Sequence, residues 1–300
     1  TQAIEETANV LFKPNPGPQT DFLAASEREV LYGGSAGGGK SYAMLSDPLR
    51  YMGHPAFSGL LLRHTTEELR ELVFKSQELY PKIWPGIKWS ERKMQWTAPS
   101  GARLWMSYLD RDDDVLRYQG LAFSWIGFDE LTQWSTPYAW NYMRSRLRST
   151  AADLPIYMRA TTNPGGRGHH WVKKMFIDPA PYNRAYDATD IETGEVLRYP
   201  AGHAKAGRPL YKRRFIPARL SEPEQQRRQL LDGDWDIKEG AAFTEFDRNI
   251  HVVEPFDIPN NWVKFRACDY GYGSKSGVIW FAVAPNEQLI VYRELYVSKV

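Results

Sequence analysis

The chain is poor in several things, and each shortage excludes something. It carries one cysteine, Cys268, in 300 residues. It therefore cannot close an internal disulfide or build a Cys-based zinc site, and a reducing cytoplasm suits it. No apolar run approaches the ~18 residues of a membrane span, and the N-terminus lacks the basic-then-apolar layout of a secretory signal. Charge of one sign is missing too: 38 Lys and Arg against 36 Asp and Glu leave +2, too little to mark a polyanion binder by total charge. There is no internal repeat and no low-complexity tract. With 42% hydrophobic and 25% charged residues, a packed soluble chain is expected rather than a disordered or fibrous one. The length allows one large domain or two ordinary ones. The first residue is Thr, which reads as a processed or trimmed start.

Aromatics are abundant instead. Of the 11 Trp, Trp84, Trp89, Trp96, Trp105, Trp125, Trp134 and Trp140 crowd into one stretch. We read them as core and interface packing ahead of base stacking, because buried aromatics dominate cores.

Short apolar runs recur, each ending in polar residues. Glu29–Gly34 reads as a buried strand stopped by glycines, with a helix starting at Ser41. Ser58–Arg63 is a second strand, and Thr65-Thr66-Glu67-Glu68-Leu69 a helix start with acids in its first turn. Lys93–Thr97 and Ala102–Met106 flank Pro99-Ser100-Gly101 as a hairpin. Phe123–Phe128 ends at Asp129-Glu130, and Ile156–Thr161 ends at Thr162-Asn163-Pro164-Gly165-Gly166. The fold class expected is α/β with a parallel-rich central sheet and a ligand at the strands' C-terminal ends. From 182 to 240 the pattern loosens into a small helical or loop-rich linker subdomain, with a polar helix opening at Ser221-Glu222-Pro223-Glu224. Within it, 201–220 hold six basic residues and no acid. After Gly240, Val263–Asp269, Gly277–Val283 and Leu289–Glu294 suggest an antiparallel meander.

Gly34-Ser35-Ala36-Gly37-Gly38-Gly39-Lys40-Ser41 fits G-x-x-x-x-G-K-[ST] at every fixed position, between a predicted strand and a predicted helix that continues with Tyr42. Glycines let backbone N–H groups converge on phosphates at a helix N-terminus. Lys40 would pair with the β and γ phosphates and Ser41 would join a Mg²⁺ shell, so ATP and Mg²⁺ are the expected cofactors. Asp129, at a strand end, can hold Mg²⁺, and adjacent Glu130 can polarise the attacking water. Gln19 precedes the first strand, where its carboxamide could read an adenine edge or simply sit in a Pro-rich turn. Arg63 ends the second strand on the ligand edge and could reach the phosphates. Thr161, Thr162 and Asn163 could contact the γ-phosphate region. Finger candidates abound, Arg117 and Arg146 among them. Residues 141–175 carry seven basic residues against Asp153, an edge suited to a neighbour's ATP or a DNA backbone.

This ordered set resembles the large terminase subunits of tailed bacteriophages, from about Gln19 to Val300. Besides the loop and Asp129-Glu130, it includes Tyr118-Gln119-Gly120, Arg159 to Gly166 with Gly168-His169-His170-Trp171, Arg214-Phe215-Ile216-Pro217-Ala218, Leu230 to Asp236 and Ala267-Cys268-Asp269-Tyr270-Gly271. The resemblance implies an additional-strand P-loop ATPase core over 1–180, a lid or linker subdomain over 181–240, and the first strands of a ribonuclease H-like nuclease over 241–300. It implies Lys40 and Ser41 as Walker A residues, Asp129 and Glu130 as the Walker B pair, Thr161 to Asn163 as the coupling motif and Gln19 as the adenine motif. Asp269 matches the first nuclease acid, which would bind Mg²⁺ or Mn²⁺. The implied partners are double-stranded DNA, the portal protein of a procapsid, a small terminase subunit and further copies in a ring of five. The implied place is the host cytoplasm at the portal vertex, not the mature virion or a membrane. Two departures stand out. Gln119 replaces an arginine found before the glycine in some relatives, leaving as finger Arg117 or one of the Arg144 to Arg148 cluster, Arg146 among them. Only Glu294 follows Asp269 in a strand, and it reads as structural, so the natural chain is expected to continue past Val300 and the nuclease to be incomplete here. Arg213 and Arg214 are candidate DNA contacts, weighed against a solvated linker. Two other readings are a helicase-like DNA-dependent ATPase and a nucleotide sensor that does not hydrolyse. The first lacks a second recombinase-like lobe, and the second is at odds with the Asp129-Glu130 pair.

Overall fold

A computed structural model of the chain describes residues 12–34, 38–218, 252–269 and 276–297. Its contacts divide the chain into two units, Thr1–Ala241 and Ala242–Val300. In the first, β1 (Glu29–Gly34) is buried along its whole length, as befits the middle of a sheet covered on both faces. Val30 and Tyr32 enter one apolar cluster and Leu31 the other, the period of two that sends alternate side chains to opposite faces.

The same logic places β2 (Ser58–Arg63), β5 (Arg103–Tyr108), β6 (Trp125–Phe128), β7 (Tyr157–Thr162) and β9 (Lys212–Ala218) parallel to β1 in one sheet. Short antiparallel strands β3 (Lys88–Ser90), β4 (Gln95–Thr97) and β8 (Ala185–Asp187) complete its borders. The order is β3-β4-β5-β2-β6-β7-β1-β9-β8. An extra strand, β7, thus separates the glycine-loop strand from the Asp129 strand. Residues of α1 (Pro18–Ala24), α2 (Lys40–Ser46) and α3 (Thr66–Ile83) join one cluster, and residues of α4 (Tyr138–Arg144) and α5 (His169–Val172) the other. The start of α3 is closed by a capping box in which Thr65 Oγ1 accepts from Glu68 N and Glu68 accepts from Thr65 N, satisfying donors a helix start leaves open. Trp96, Trp125, Trp134 and Trp140 are all buried, the packing role expected of them.

Two expectations need correcting. Residues 212–218 are not linker: β9 pairs with β1 in register, Glu29 opposite Arg213 through Gly34 opposite Ala218. The Pro-rich segment before β1 is not only a turn, because Pro18 opens α1 at a position where its missing N–H costs nothing. The polar helix expected from Ser221 lies outside the described residues. In the second unit, β10 (Val263–Asp269), β11 (Ser276–Val283) and β12 (Leu289–Val297) form the expected antiparallel meander.

Candidate nucleotide site

The parallel register brings the C-terminal ends of β1, β2, β6 and β7 to one edge. Of the glycine loop, Ser35, Ala36 and Gly37 lie outside the described residues. Its two ends are pinned from below. Gly34 has φ 132°, and a Cβ there would stand 2.6 Å from Ala218 O, so β9 passes too close for any other residue. Gly39, at φ 72°, caps α2. Tyr32 Oη donates to Gly38 O at 2.5 Å and Gln19 Nε2 to Gly39 O at 2.9 Å, while Gln19 Oε1 accepts from Asn15 N at 2.6 Å. Gln19 is buried. One N–H of its carboxamide thus anchors the loop and one lone pair holds Asn15 ahead of α1, and the second of each stays available. Burial pushes the Tyr32 phenol up to about 12, so it remains a donor at any working pH.

Lys40 Nζ donates to Gly34 O at 3.3 Å. Burial lowers its pKa, against the raising influence of Glu130 and Asp129. Ser41 is half-buried in the first turn of α2, and Tyr42 beside it is exposed. Across the edge, Asp129 is 1% exposed. Thr161 Oγ1 donates to its Oδ1 in a short hydrogen bond, and Arg63 Nε stands 3.0 Å from its Oδ2. Neither Arg63 Nε nor Asp129 Oδ2 makes a hydrogen bond, so the contact is one of charge. Buried and without a hydrogen bond, Oδ2 fits an oxygen-seeking divalent cation such as Mg²⁺.

Glu130 adopts the left-handed conformation, φ 60°, ψ 56°, a backbone cost an ordinary residue bears only where its surroundings impose it. Asn163 imposes it with two donors: backbone N to Glu130 Oε2 at 3.2 Å and Nδ2 to Oε1 at 3.3 Å. Burial first, and the Asp129 carboxylate second, push Glu130 above the usual carboxylate range. Thr162 Oγ1 lies 2.7 Å from Thr132 Oγ1 and accepts from Thr132 N at 3.2 Å. The segment after β7 is thereby tied to the turn after Glu130.

Such an edge can cradle a triphosphate and present a carboxylate to water. The sequence matches the family model described as "Terminase large subunit, T4likevirus-type, N-terminal" over residues 31–250, most of the chain. The chain belongs to the large terminase family. No curated protein sequence matches it. Among solved structures, the large terminase of the thermophilic bacteriophage D6E is similar, at TM-score 0.52 and 15% identity, over 95% of this chain and 68% of that one. The same protein in complex with ADP gives 0.50 and 17%, over 93% and 67%. The HK97 bacteriophage large terminase gives 0.43 and 12%, over 95% and 63%. At these identities the D6E likeness is one of fold, and the shared architecture is a parallel-rich α/β sheet.

The remaining residues expected to act in this large terminase chain do not all converge on the edge. Arg117, in a 3-10 turn after β5, donates to Tyr108 O at 2.6 Å and to Asp114 O at 3.2 Å, so its guanidinium is tied to its own loop. Arg146 leans on the Tyr142 ring at 5.3 Å. Its carbonyl accepts from Phe123 N, just before β6 and therefore at the opposite edge. At ~3.3 Å per strand residue that is about 20 Å from Asp129, out of reach of the chain's own site. Arg213 cannot meet DNA: it is 1% exposed, donating to Glu29 Oε2 at 2.6 Å and Thr189 O at 2.7 Å. Arg214 is half-buried and holds Asn183 Oδ1 at 2.7 and 3.0 Å. Asp269 ends β10, exposed, and among the described residues no three His, Cys, Asp or Glu side chains gather as a metal site. Among the described residues no helix is long and apolar enough to cross a membrane. Sequence reading missed Tyr32 as the holder of the loop. The available signal was a tyrosine inside an apolar strand, immediately before the glycines.

Proposed function

We propose that the chain is the ATP-hydrolysing part of a motor subunit that drives double-stranded DNA into a procapsid. Lys40 would neutralise the β and γ phosphates, and Ser41 and Asp129 would hold Mg²⁺. When bound, that ion supplies charge neutralisation at the phosphates. Glu130 takes the proton of the attacking water. Burial and the neighbouring Asp129 raise its pKa, which strengthens it as a base, and Asn163 fixes its direction. Thr162 and Thr132 then pass the change at the γ-phosphate position to the segment beyond. Gln19 would meet adenine with its remaining donor and acceptor. Arg146, remote from its own site, serves better than Arg117 as a finger offered to a neighbouring copy in a ring of five. The portal protein and a small terminase subunit complete the proposed machine, which works at the portal vertex in the host cytoplasm. Asp269 would be the first metal-binding acid of a ribonuclease H-like nuclease using Mg²⁺ or Mn²⁺. The observation that carries the ATPase reading is the Glu130 carboxylate, held by Asn163 in a strained backbone beside Asp129 and Lys40. Phosphate release with DNA and procapsids tests it: Lys40→Ala and Glu130→Gln should abolish both hydrolysis and packaging, and a Glu130→Gln chain packaging at wild-type rate would overturn it.

A further inference from the structure

Arg63 ends β2 and Asp129 follows β6, adjacent parallel strands whose register pairs Leu62 with Phe128. The sheet itself therefore sets their side chains next to each other at the nucleotide edge. The pair is buried, with Arg63 Nε 3.0 Å from Asp129 Oδ2, yet no hydrogen bond runs between these atoms. Asp129 is otherwise held firmly, by Thr161 at Oδ1 and by its own backbone N donating to Leu62 O at 2.9 Å. Arg144 Nε makes the same kind of contact with Glu29 Oε1, at 2.7 Å and without a hydrogen bond; what sets Arg63 apart is that the oxygen it covers is the one a divalent cation would take at the nucleotide edge. Arg63 neutralises a carboxylate without the directed bond that would fix it there, so a stronger cation can replace it at little cost.

Charge counting points the same way. Lys40 and Arg63 face Asp129 and Glu130, two positive groups against two negative ones in a buried space. Removing Arg63 leaves an uncompensated buried charge, and a divalent ion is the natural replacement. We propose that Arg63 is a placeholder for the metal. Before nucleotide arrives its guanidinium neutralises Asp129 Oδ2 at the position the divalent cation takes, and it yields when the cation enters with the nucleotide. This makes the site selective for the metal–nucleotide complex over the bare metal, and frees Arg63 for the phosphates only when they are present. The proposal rests on the ATPase reading of the same edge.

The test uses Mn²⁺ alone, titrated into the nucleotide-free full chain, with free Mn²⁺ read by electron paramagnetic resonance. Arg63→Met and Arg63→Gln should bind one Mn²⁺ at least tenfold more tightly than wild type, and adding Asp129→Asn should erase the gain. Equal affinity in wild type and both variants overturns the proposal, as does a gain that survives Asp129→Asn. Should the neutral variants fail to fold, Arg63→Lys, whose cation has a shorter reach, is read instead: a partial gain supports the placeholder and none overturns it. ATP hydrolysis by wild type is scored separately. Hydrolysis with unchanged Mn²⁺ affinity sinks the placeholder alone, and a gain of Mn²⁺ affinity in a chain that does not hydrolyse ATP sinks the ATPase reading alone.

Discussion

Two glutamates, Glu29 buried and Glu130 half-buried, stand at opposite edges of one sheet. Glu29 opens β1 and accepts from Arg213 Nε at 2.6 Å, with Arg144 Nε at 2.7 Å from its other oxygen. Glu130 follows β6 with a second carboxylate as its neighbour and a backbone in the left-handed region. Burial is the largest influence on both, and it works to raise both. Two arginines overcome it at Glu29, whose pKa is lowered. At Glu130 Asp129 adds to it, and the pKa rises. The edge that holds the fold sets two arginines against one carboxylate. The edge that would do chemistry sets two carboxylates side by side and raises the pKa of one, the kind of perturbation that gathers at functional sites.

The comparison breaks most sharply under paired substitutions. Glu130→Gln should cut ATP turnover by roughly 10²-fold or more, the scale of a lost general base, while leaving thermal stability equal or higher. Glu29→Gln should do the reverse. It leaves Arg213 and Arg144 without their carboxylate, at a cost of about 3 kcal/mol in denaturant unfolding, with turnover per folded molecule unchanged. If both variants lose stability alike, the edges do not differ as argued.

A titration separates them further. Glu29 has a folded pKa below its unfolded value, so its stability is present above the ordinary carboxylate range and is lost as pH falls through the folded pKa. Glu130 has a folded pKa above its unfolded value, so its contribution is present at low pH and is lost as pH rises through the folded pKa. In metal-free buffer the gap between wild type and Glu29→Gln should shrink towards acid. The gap between Glu130→Gln and wild type should open as pH rises through the folded pKa of Glu130, and parallel curves would refute the assignment.

The edge opposite the nucleotide site can be divided as well. Lys205, Arg208 and Lys212 are exposed where Arg213 is buried. Charge reversal at Lys205 and Arg208 together should weaken DNA binding and reduce the salt slope by about 2, with the fold intact, whereas Arg213→Glu should unfold the chain. DNA affinity unmoved at every salt concentration would leave 201–212 as solvated surface.

How far the sequence told this depended on the distance over which each residue is explained. The glycine loop, Arg63, Asp129-Glu130 and Thr161 to Asn163 end apolar runs, so local pattern and parallel topology were enough to place them on one edge. Lys212-Arg213-Arg214-Phe215-Ile216-Pro217 looks like linker, because three cations and a proline are poor strand material. It is a strand because Glu29, 184 residues earlier, neutralises Arg213 across the β1–β9 pairing. Proline is tolerated near the strand's end. Arg63 was placed at the edge by pattern, but its meeting with Asp129 depends on register, which single-strand patterns do not contain.

Tyr32 offers the finest division, because it lies on the same strand as Glu29, three residues nearer the glycines. Its ring packs in the core, stacked obliquely on Phe22 with centroids 5.4 Å apart, while its hydroxyl holds Gly38 O. Tyr32→Phe keeps the ring and removes only the hydroxyl. A neutral hydrogen bond contributes about 1 kcal/mol, and here it acts on the loop rather than the sheet. Nucleotide affinity should therefore fall by about fivefold, measured with a fluorescent ATP analogue, while the unfolding midpoint stays nearly unchanged. A fall in stability of about 1 kcal/mol with affinity intact would mean that the hydroxyl serves the core. The line between the fold-holding and nucleotide-holding parts of β1 would then lie beyond Tyr32, at the glycines themselves.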